Sequence, residues 1–303
     1  MNKHEVESAI HISGLHRNHG KLEVLRGLDL HVAKGSIYGL LGRNGCGKTT
    51  LFKIIAGLIK ADQGEVLVNG FHPWNMDAFA RQNVGYQAEK QLLPTHLSIG
   101  KLIAFCSQFY PAWDHELCSS LLNRFQINPK QRVHTLSLGK QRLVSFILAI
   151  APRPDLLLLD EPAANLDVVA RRELLSEVLD LSRQIGKTVV FSTHILTDVE
   201  RIADQVGIIG DGKLLISAPL DDLKEEVKQL RLHSFKSGAP PDSLPEALSY
   251  RRQGPEALAI IPGSTPESIE TLESRLQCLI EVHHLPLEEL FIHLTQTRDS
   301  ALN

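Results

Sequence analysis

One short stretch restricts this chain more than any other: Gly42-Arg43-Asn44-Gly45-Cys46-Gly47-Lys48-Thr49-Thr50. It fits the pattern G-x-x-x-x-G-K-[ST], a loop that cradles nucleotide phosphates between a strand and a helix. The flanks agree. Residues 36–41 are apolar and read as a strand, and Leu51, Ile54, Ile55, Leu58 and Ile59 then recur at helical spacing. Phosphates carry several negative charges and must be held without a wall of bulky side chains. Glycines let backbone N–H groups turn inward, and the following helix adds its free N–H groups and the positive end of its dipole. In this pattern Lys48 supplies a full positive charge to the β/γ-phosphates, and the Thr49 hydroxyl stands where it can ligate Mg2+. The contacts expected of the loop fall on Gly42, Asn44, Gly45, Cys46, Gly47, Lys48, Thr49 and Thr50.

Bulk properties exclude several classes. A chain of 303 residues suggests one large domain or two. Its 43% hydrophobic and 22% charged content is that of a globular protein. A net charge of −3 gives no electrostatic case for a nucleic-acid surface, and 5% aromatic content argues against base-stacking platforms, so no nucleic-acid partner is expected. No apolar run has the length to cross a bilayer, and Met1-Asn2-Lys3-His4-Glu5 lacks the apolar core of a secretion signal. Cys46, Cys106, Cys118 and Cys278 show no C-x-x-C spacing and read as free thiols of a reducing compartment.

Along the chain, residues 6–70 look β-rich, with Leu28, Leu30 and Val32 alternating with polar neighbours. Residues 65–68 read as a strand ending in a tight turn at Asn69-Gly70. Residues 92–152 look mostly helical. The run Leu156-Leu157-Leu158-Leu159 reads as a buried parallel strand that ends in Asp160-Glu161. A helix over 169–185, a strand over 188–192, another helix after His194 and a hairpin over 206–215 follow. Strands alternating with helices imply a mainly parallel sheet. Composition shifts near residue 218. Beyond it, residues 221–230 read as a charged helix, 257–261 and 278–282 as strands, and 268–277 and 287–295 as helices.

Five further segments stand in fixed order behind or ahead of these elements: Val84-Gly85-Tyr86-Gln87-Ala88-Glu89, Leu136-Ser137-Leu138-Gly139-Lys140, Asp160-Glu161-Pro162, Ala164-Asn165-Leu166-Asp167, and His194. With the phosphate loop they resemble, over residues 6–218, the nucleotide-binding subunit of ATP-binding cassette (ABC) proteins. The implied fold is an α/β P-loop NTPase cassette, a mixed core with an antiparallel β subdomain and a helical subdomain over 92–152. The implied division is a cassette over 1–219 and a small α+β appendage over 220–303, to which no chemistry can be attached.

The resemblance carries roles onto these positions. Leu136–Lys140 looks like the ABC signature, usually Leu-Ser-Gly-Gly-Gln, with Leu138 and Lys140 as departures; Ser137 and Gly139 would face the γ-phosphate held by another cassette. Asp160 matches the Walker B aspartate that holds Mg2+, and Glu161 the residue that polarises the attacking water. One carboxylate for the metal and one for the water is what hydrolysis requires. Asp167 falls in the D-loop, implying contact between two cassettes, and His194 matches the histidine that reaches the γ-phosphate. The family's Q-loop glutamine falls on Glu89, with Gln87 as the alternative. His19 takes the place of the aromatic that stacks on adenine.

The resemblance implies ATP and Mg2+ as ligands, a separate integral-membrane permease, and a second ABC cassette, identical or paralogous. It implies a cytoplasmic protein held at the membrane by that permease. Glu89, the degenerate signature and the appendage resemble exporter-type cassettes. The alternative is a soluble ABC-type regulatory or mechanochemical ATPase. The short interval between Lys48 and Ser137 leaves no room for the long coiled coils of chromosome-structure members, and one cassette per chain is unlike the translation factors. A small-molecule kinase would share the phosphate loop but would leave Ser137, Asp167 and His194 unexplained.

Overall fold

The computed structural model describes residues 7–90, 93–261, 264–284 and 286–296. The stretch Met1-Asn2-Lys3-His4-Glu5 and Leu92, the first residue of the predicted helical segment, lie outside the described residues. The chain forms two compact units, Met1–Ser217 and Ala218–Asn303.

The first unit runs through β1 (Ser8–His19), β2 (Leu22–Ala33), β3 (Ile37–Gly42), α1 (Lys48–Ile55), β4 (Gln63–Val68), α2 (Ala78–Gln82), β5 (Val84–Gln87), α3 (Ile99–Ser107), α4 (His115–Arg124) and α5 (Leu138–Ile150). It continues with β6 (Leu156–Asp160), α6 (Val168–Ile185), β7 (Thr188–Thr193), α7 (Leu196–Ile202), β8 (Gln205–Gly210) and, reaching the division, β9 (Lys213–Pro219). Two sheets result. β2-β1-β4 is antiparallel, and β5-β6-β7-β3-β8-β9 holds a parallel core from β5 to β8. The alternation read in β2 is real: Leu28, Leu30 and Val32 are buried while their neighbours are exposed or half-buried. Strands β3, β6 and β7 are buried along their whole length, as strands covered on both faces must be.

The parallel sheet positions the site. In such a sheet the carboxyl ends of all strands share one edge, and ligands bind there. The register sets Leu41 beside Thr193, Asp160 beside Ser192, and Gln87 beside Leu159. The segments that follow β3, β5, β6 and β7 therefore emerge side by side, although the sequence separates them widely.

Two expectations need correction. The helix after the phosphate loop stops at Ile55, because the chain turns through Gly57 at φ 68°; Leu58 and Ile59 lie outside it, and Leu58 is exposed. Their helical spacing is coincidental. In the second unit the charged helix α8 (Leu220–Glu226) is shorter than expected, and residues 228–230 belong to strand β10 (Lys228–His233). Leu230 and Leu232 alternate with Gln229, Arg231 and His233, a period of two that wins over the charge content.

The second unit then adds β11 (Ser249–Gln253), β12 (Glu256–Ile261), α9 (Pro266–Leu276), β13 (Leu279–His284) and α10 (Leu287–Gln296). Its sheet is antiparallel, in the order β11-β12-β10-β13. Leu230, Leu232, Ala257 and Ala259 pack with Leu272 of α9 to form its core. Strand β11 escapes sequence reading because Arg251, Arg252 and Gln253 are exposed on an edge and leave no apolar alternation.

Candidate nucleotide-binding site

The phosphate loop joins β3 to α1 as its spacing predicts. Gly47 is the N-cap of α1 at φ 110°, and no side chain caps the helix there. A Cβ at Gly47 would stand 2.8 Å from Leu25 Cδ2, so both the turn and the packing demand glycine. The first N–H groups of α1 are thereby left facing the loop, the arrangement that suits an anion. Lys48 is buried; its ammonium donates to the carbonyls of Gly42 (2.6 Å) and Arg43 (3.2 Å) and lies 3.8 Å from Glu161 Oε1.

Around this loop opens a pocket of about 290 Å³. It is lined by His19, Leu22, Val24, Asn44, Gly45, Gly47, Lys48, Thr49, Thr50, Glu89, Asp160 and Glu161, which brings together most of the residues singled out above. Cys46 is not among them. It is half-buried and packs against the core behind the loop, and burial pushes its thiol pKa up. Gly42, the last residue of β3, contributes its carbonyl to Lys48 rather than a face of the pocket.

The acidic wall is unusual. Asp160 is fully buried; its Oδ1 accepts from the Ser192 hydroxyl at 2.7 Å, and its Oδ2 has no hydrogen-bond partner. Burial raises the Asp160 pKa above the ordinary carboxylate range. The Ser192 hydrogen bond and the nearby Thr49 hydroxyl oppose this, the Glu89 charge adds to it and Lys48 lowers it. Glu161 follows at φ 50°, a left-handed conformation that costs about 1–3 kcal/mol for a residue with a side chain. Its N–H donates to Ser192 Oγ at 2.9 Å. Its carboxylate reaches His194 Nδ1 at 2.9 Å through Oε2, while Oε1 has no hydrogen-bond partner. Held this way the carboxylate turns into the pocket instead of continuing the strand.

Two buried carboxylate oxygens without hydrogen-bond partners, Asp160 Oδ2 and Glu161 Oε1, beside a phosphate loop fit a cation that arrives with the phosphates. Among the described residues no cluster of three or more His, Cys, Asp or Glu side chains could hold a metal alone. Mg2+ does not require one, since it is commonly bound by one or two carboxylates plus substrate phosphates and water. Thr49, whose hydroxyl donates to Glu89 Oε2 at 3.4 Å, completes the oxygen set that would hold it.

The structure separates the two Q-loop candidates. Gln87 is completely buried, and its amide donates to the Arg142 carbonyl at 3.2 Å; Glu89 is exposed and lines the pocket. His19 ends β1 with Nε2 3.3 Å from Thr50 Oγ1, on the pocket wall.

Ser137, Gly139 and Asp167 stand elsewhere. They line a second pocket of about 400 Å³ with Lys140, Asn165, Leu166 and Arg124, and none of its residues lines the first. Ser137 is the N-cap of α5, accepting from Lys140 N at 3.3 Å, and Asp167 is the N-cap of α6, accepting from Val169 N and Ala170 N at 2.9 Å each. A Cβ on Gly139 would stand 2.7 Å from the Asn165 carbonyl, so glycine here lets the two helix starts approach one another. Lys140 donates to the Gln126 carbonyl at 2.9 Å.

The family model described as ABC transporter matches residues 25–164. The "ABC transporter ATP-binding protein YtrB" of Bacillus subtilis (strain 168) is 33% identical over 69% of this chain and 72% of its own length. The chain belongs to the ATP-binding proteins of ABC transporters. This ABC protein is accordingly an ATPase subunit of that family, with the cassette fold expected from its motifs. The solved "Structure of ATP binding subunit of ABC transporter" superposes with a TM-score of 0.66 at 25% identity, covering 72% of this chain and 92% of the other. The "Fe(3+) ions import ATP-binding protein FbpC" of Mesorhizobium japonicum is 35% identical over 77% of this chain and 66% of its own length. The ABC cassette is thus shared with an import protein, and the likeness is not confined to exporters.

Sequence reasoning missed two residues. Ser192 holds both Asp160 and Glu161, and Arg142, the only buried arginine among the described residues, donates to the main-chain oxygens of Glu161 and of Glu89, the latter at 2.9 Å. Each left a signal: a hydroxyl interrupting the apolar run of β7, and a cation on the apolar helix α5.

Proposed function

We propose that this ABC subunit hydrolyses MgATP at a site completed by a second cassette, and that the cycle drives a membrane permease. One observation carries the reading: Lys48, Asp160 and Glu161, the last hydrogen-bonded to His194, line one pocket, Ser137 and Asp167 line another, and the two share no residue. In this reading the phosphate loop, Lys48 and Thr49 hold the triphosphate. Thr49, Asp160 and Glu89 would hold Mg2+, which would supply Lewis-acid stabilisation of charge on the phosphates. Glu161 accepts a proton from the attacking water, and His194, hydrogen-bonded to that carboxylate, orients it and reaches the γ-phosphate. His19 lies against the base. Ser137 and Gly139 of the second cassette close over the γ-phosphate, adding the free N–H groups of a helix N-terminus where charge accumulates. Binding closes the pair and hydrolysis reopens it.

The permease partner is suggested by the end of α3 and the residues just after it. Phe105 and Phe109 are both more than half exposed and meet edge to face with centroids 5.2 Å apart, an apolar surface that suits a protein partner. No helix among the described residues is long and apolar enough to cross a membrane, so a transport role would place this chain at the membrane through that partner. Export is the direction proposed, on the resemblance of Glu89 and the altered signature to exporter cassettes.

The test is Glu161→Gln. Turnover should fall by about 10²–10⁴, the range of a positioned general base, and ATP should convert the variant to a stable dimer seen by sedimentation. Retained turnover refutes the role of Glu161, and a persistent monomer in ATP refutes the paired site. Absence of any membrane protein in pull-downs from native membranes would remove the transport role.

A further inference from the structure

Arg142 stands about one turn into α5, the helix whose first turn, with Ser137, Gly139 and Lys140, lines the second pocket. At about 1.5 Å of rise per residue, roughly 7–8 Å along the axis separates it from Ser137. It is only 6% exposed. Its guanidinium reaches no carboxylate oxygen by hydrogen bond. One Nη donates to the main-chain oxygen of Glu161, the other to that of Glu89 at 2.9 Å, and Nε has no partner. The Arg142 carbonyl in turn accepts from the buried Gln87 amide. Thus one side chain of α5 grips the segments that leave two neighbouring strands, β5 and β6, and both segments carry a carboxylate of the first pocket.

Stability does not account for this arrangement. Burial pulls the guanidinium pKa down, and the Glu161, Glu89 and Asp160 charges only oppose that. A buried ion can often be replaced by an apolar residue of similar volume without loss of stability. What the arginine supplies is geometry: a planar fork with donors fixed in direction, able to hold two carbonyls at once. One of these follows the left-handed Cα of Glu161, where the backbone would otherwise relax and carry the side chain with it.

We infer that Arg142 is a positioning residue for hydrolysis: from the helix that begins the second pocket it fixes the Glu161 and Glu89 backbones, and so sets the Glu161 carboxylate when that helix is in place. The inference rests on the reading of Glu161 given above. It makes the state of the Ser137 pocket felt at the first pocket of the same chain, because α5 cannot shift without drawing on both carbonyls.

Arg142→Met keeps the length and removes the donors. Turnover (kcat) should fall about a hundredfold, as a misplacement near 1 Å does, with MgATP affinity and melting temperature little changed. Arg142→Lys, a point charge able to hold one carbonyl, should recover part of the loss. A kcat near that of the wild type, or a loss matched by weaker MgATP binding or a lower melting temperature, overturns the inference. If Arg142→Met does not fold, Arg142→Lys decides it: lowered kcat with affinity and melting temperature retained supports the role, and unchanged kcat refutes it. Single-turnover hydrolysis in the Glu161→Gln background separates this inference from the reading beneath it. There Arg142→Met should add little, since it acts through Glu161, and a full further loss means that it acts elsewhere. Should Glu161→Gln alone keep wild-type turnover, the reading of Glu161 fails, whatever Arg142 does.

Discussion

The two pockets of the first unit are built on opposite principles. The phosphate-loop pocket stores unsatisfied polarity: Lys48, Asp160 and Glu161 are buried, two carboxylate oxygens have no hydrogen-bond partner, and a residue with a side chain holds a left-handed backbone. The Ser137 pocket stores almost none. Its capping side chains are engaged by their own helices, and Leu138, Val168 and Val169 around it are 66–70% exposed. Buried polar groups without partners are costly and persist where a ligand satisfies them. Exposed apolar side chains beside helix starts mark a surface that another protein covers. The first pocket therefore has the character of a ligand site, and the second suits the contact face proposed for a second cassette.

Breaking the first pocket should have the largest effect. Lys48→Ala removes its only buried ammonium, and we expect about a thousandfold loss of turnover together with loss of MgATP binding by calorimetry. Tight binding in that variant would mean that the loop backbone alone suffices. Gly139→Ala comes next. The new methyl meets the Asn165 carbonyl, so the helix starts must part, and turnover should drop about tenfold while MgATP binding to the monomer is unaltered. Weaker binding by the monomer would dissolve the distinction between the pockets.

A third prediction concerns stability. Because burial raises the Asp160 pKa, its contribution to stability is full below the ordinary carboxylate value and is lost as pH rises through the raised folded value. Metal-free Asp160→Asn should therefore melt above the wild type at neutral pH, by a few degrees, with the gap closing toward acid; about 1 kcal/mol corresponds to roughly 2–4 °C in a domain of this size. MgATP should reverse the order. A wild type that melts higher at neutral pH without metal would show that the carboxylate is not a stored strain. The smallest effect belongs to His19→Ala, at the rim: a two- to threefold rise in KM, about 0.5 kcal/mol of lost stacking, with kcat unchanged. Unaltered KM would remove His19 from the site.

Much of the site was legible because its residues sit in contiguous motifs whose spacing is itself the physics. Gly42–Thr50 must turn as a strand–loop–helix, and Leu156–Asp160 must be a buried strand ending in acid. Arg142 and Ser192 were opaque because their partners lie 19 and 31 residues away, and no local period records such contacts. The division of labour between Gln87 and Glu89 was equally hidden. Gln87 ends β5 inside the core, while Glu89, two residues on, lies beyond the strand and is exposed.

By itself the sequence determined the family, the phosphate loop, the paired acids and the order of strands and helices, since each rests on local spacing and on burial patterns of period two or 3.6. Tertiary structure alone decided which of these residues meet. Parallel register brought Asp160, Glu161 and His194 to the phosphate loop, while the starts of α5 and α6 carried Ser137 and Asp167 to a different pocket. The physical reason is that hydrogen-bonded register and helix packing are non-local. They align strand ends at one edge of a sheet whatever their distance along the chain.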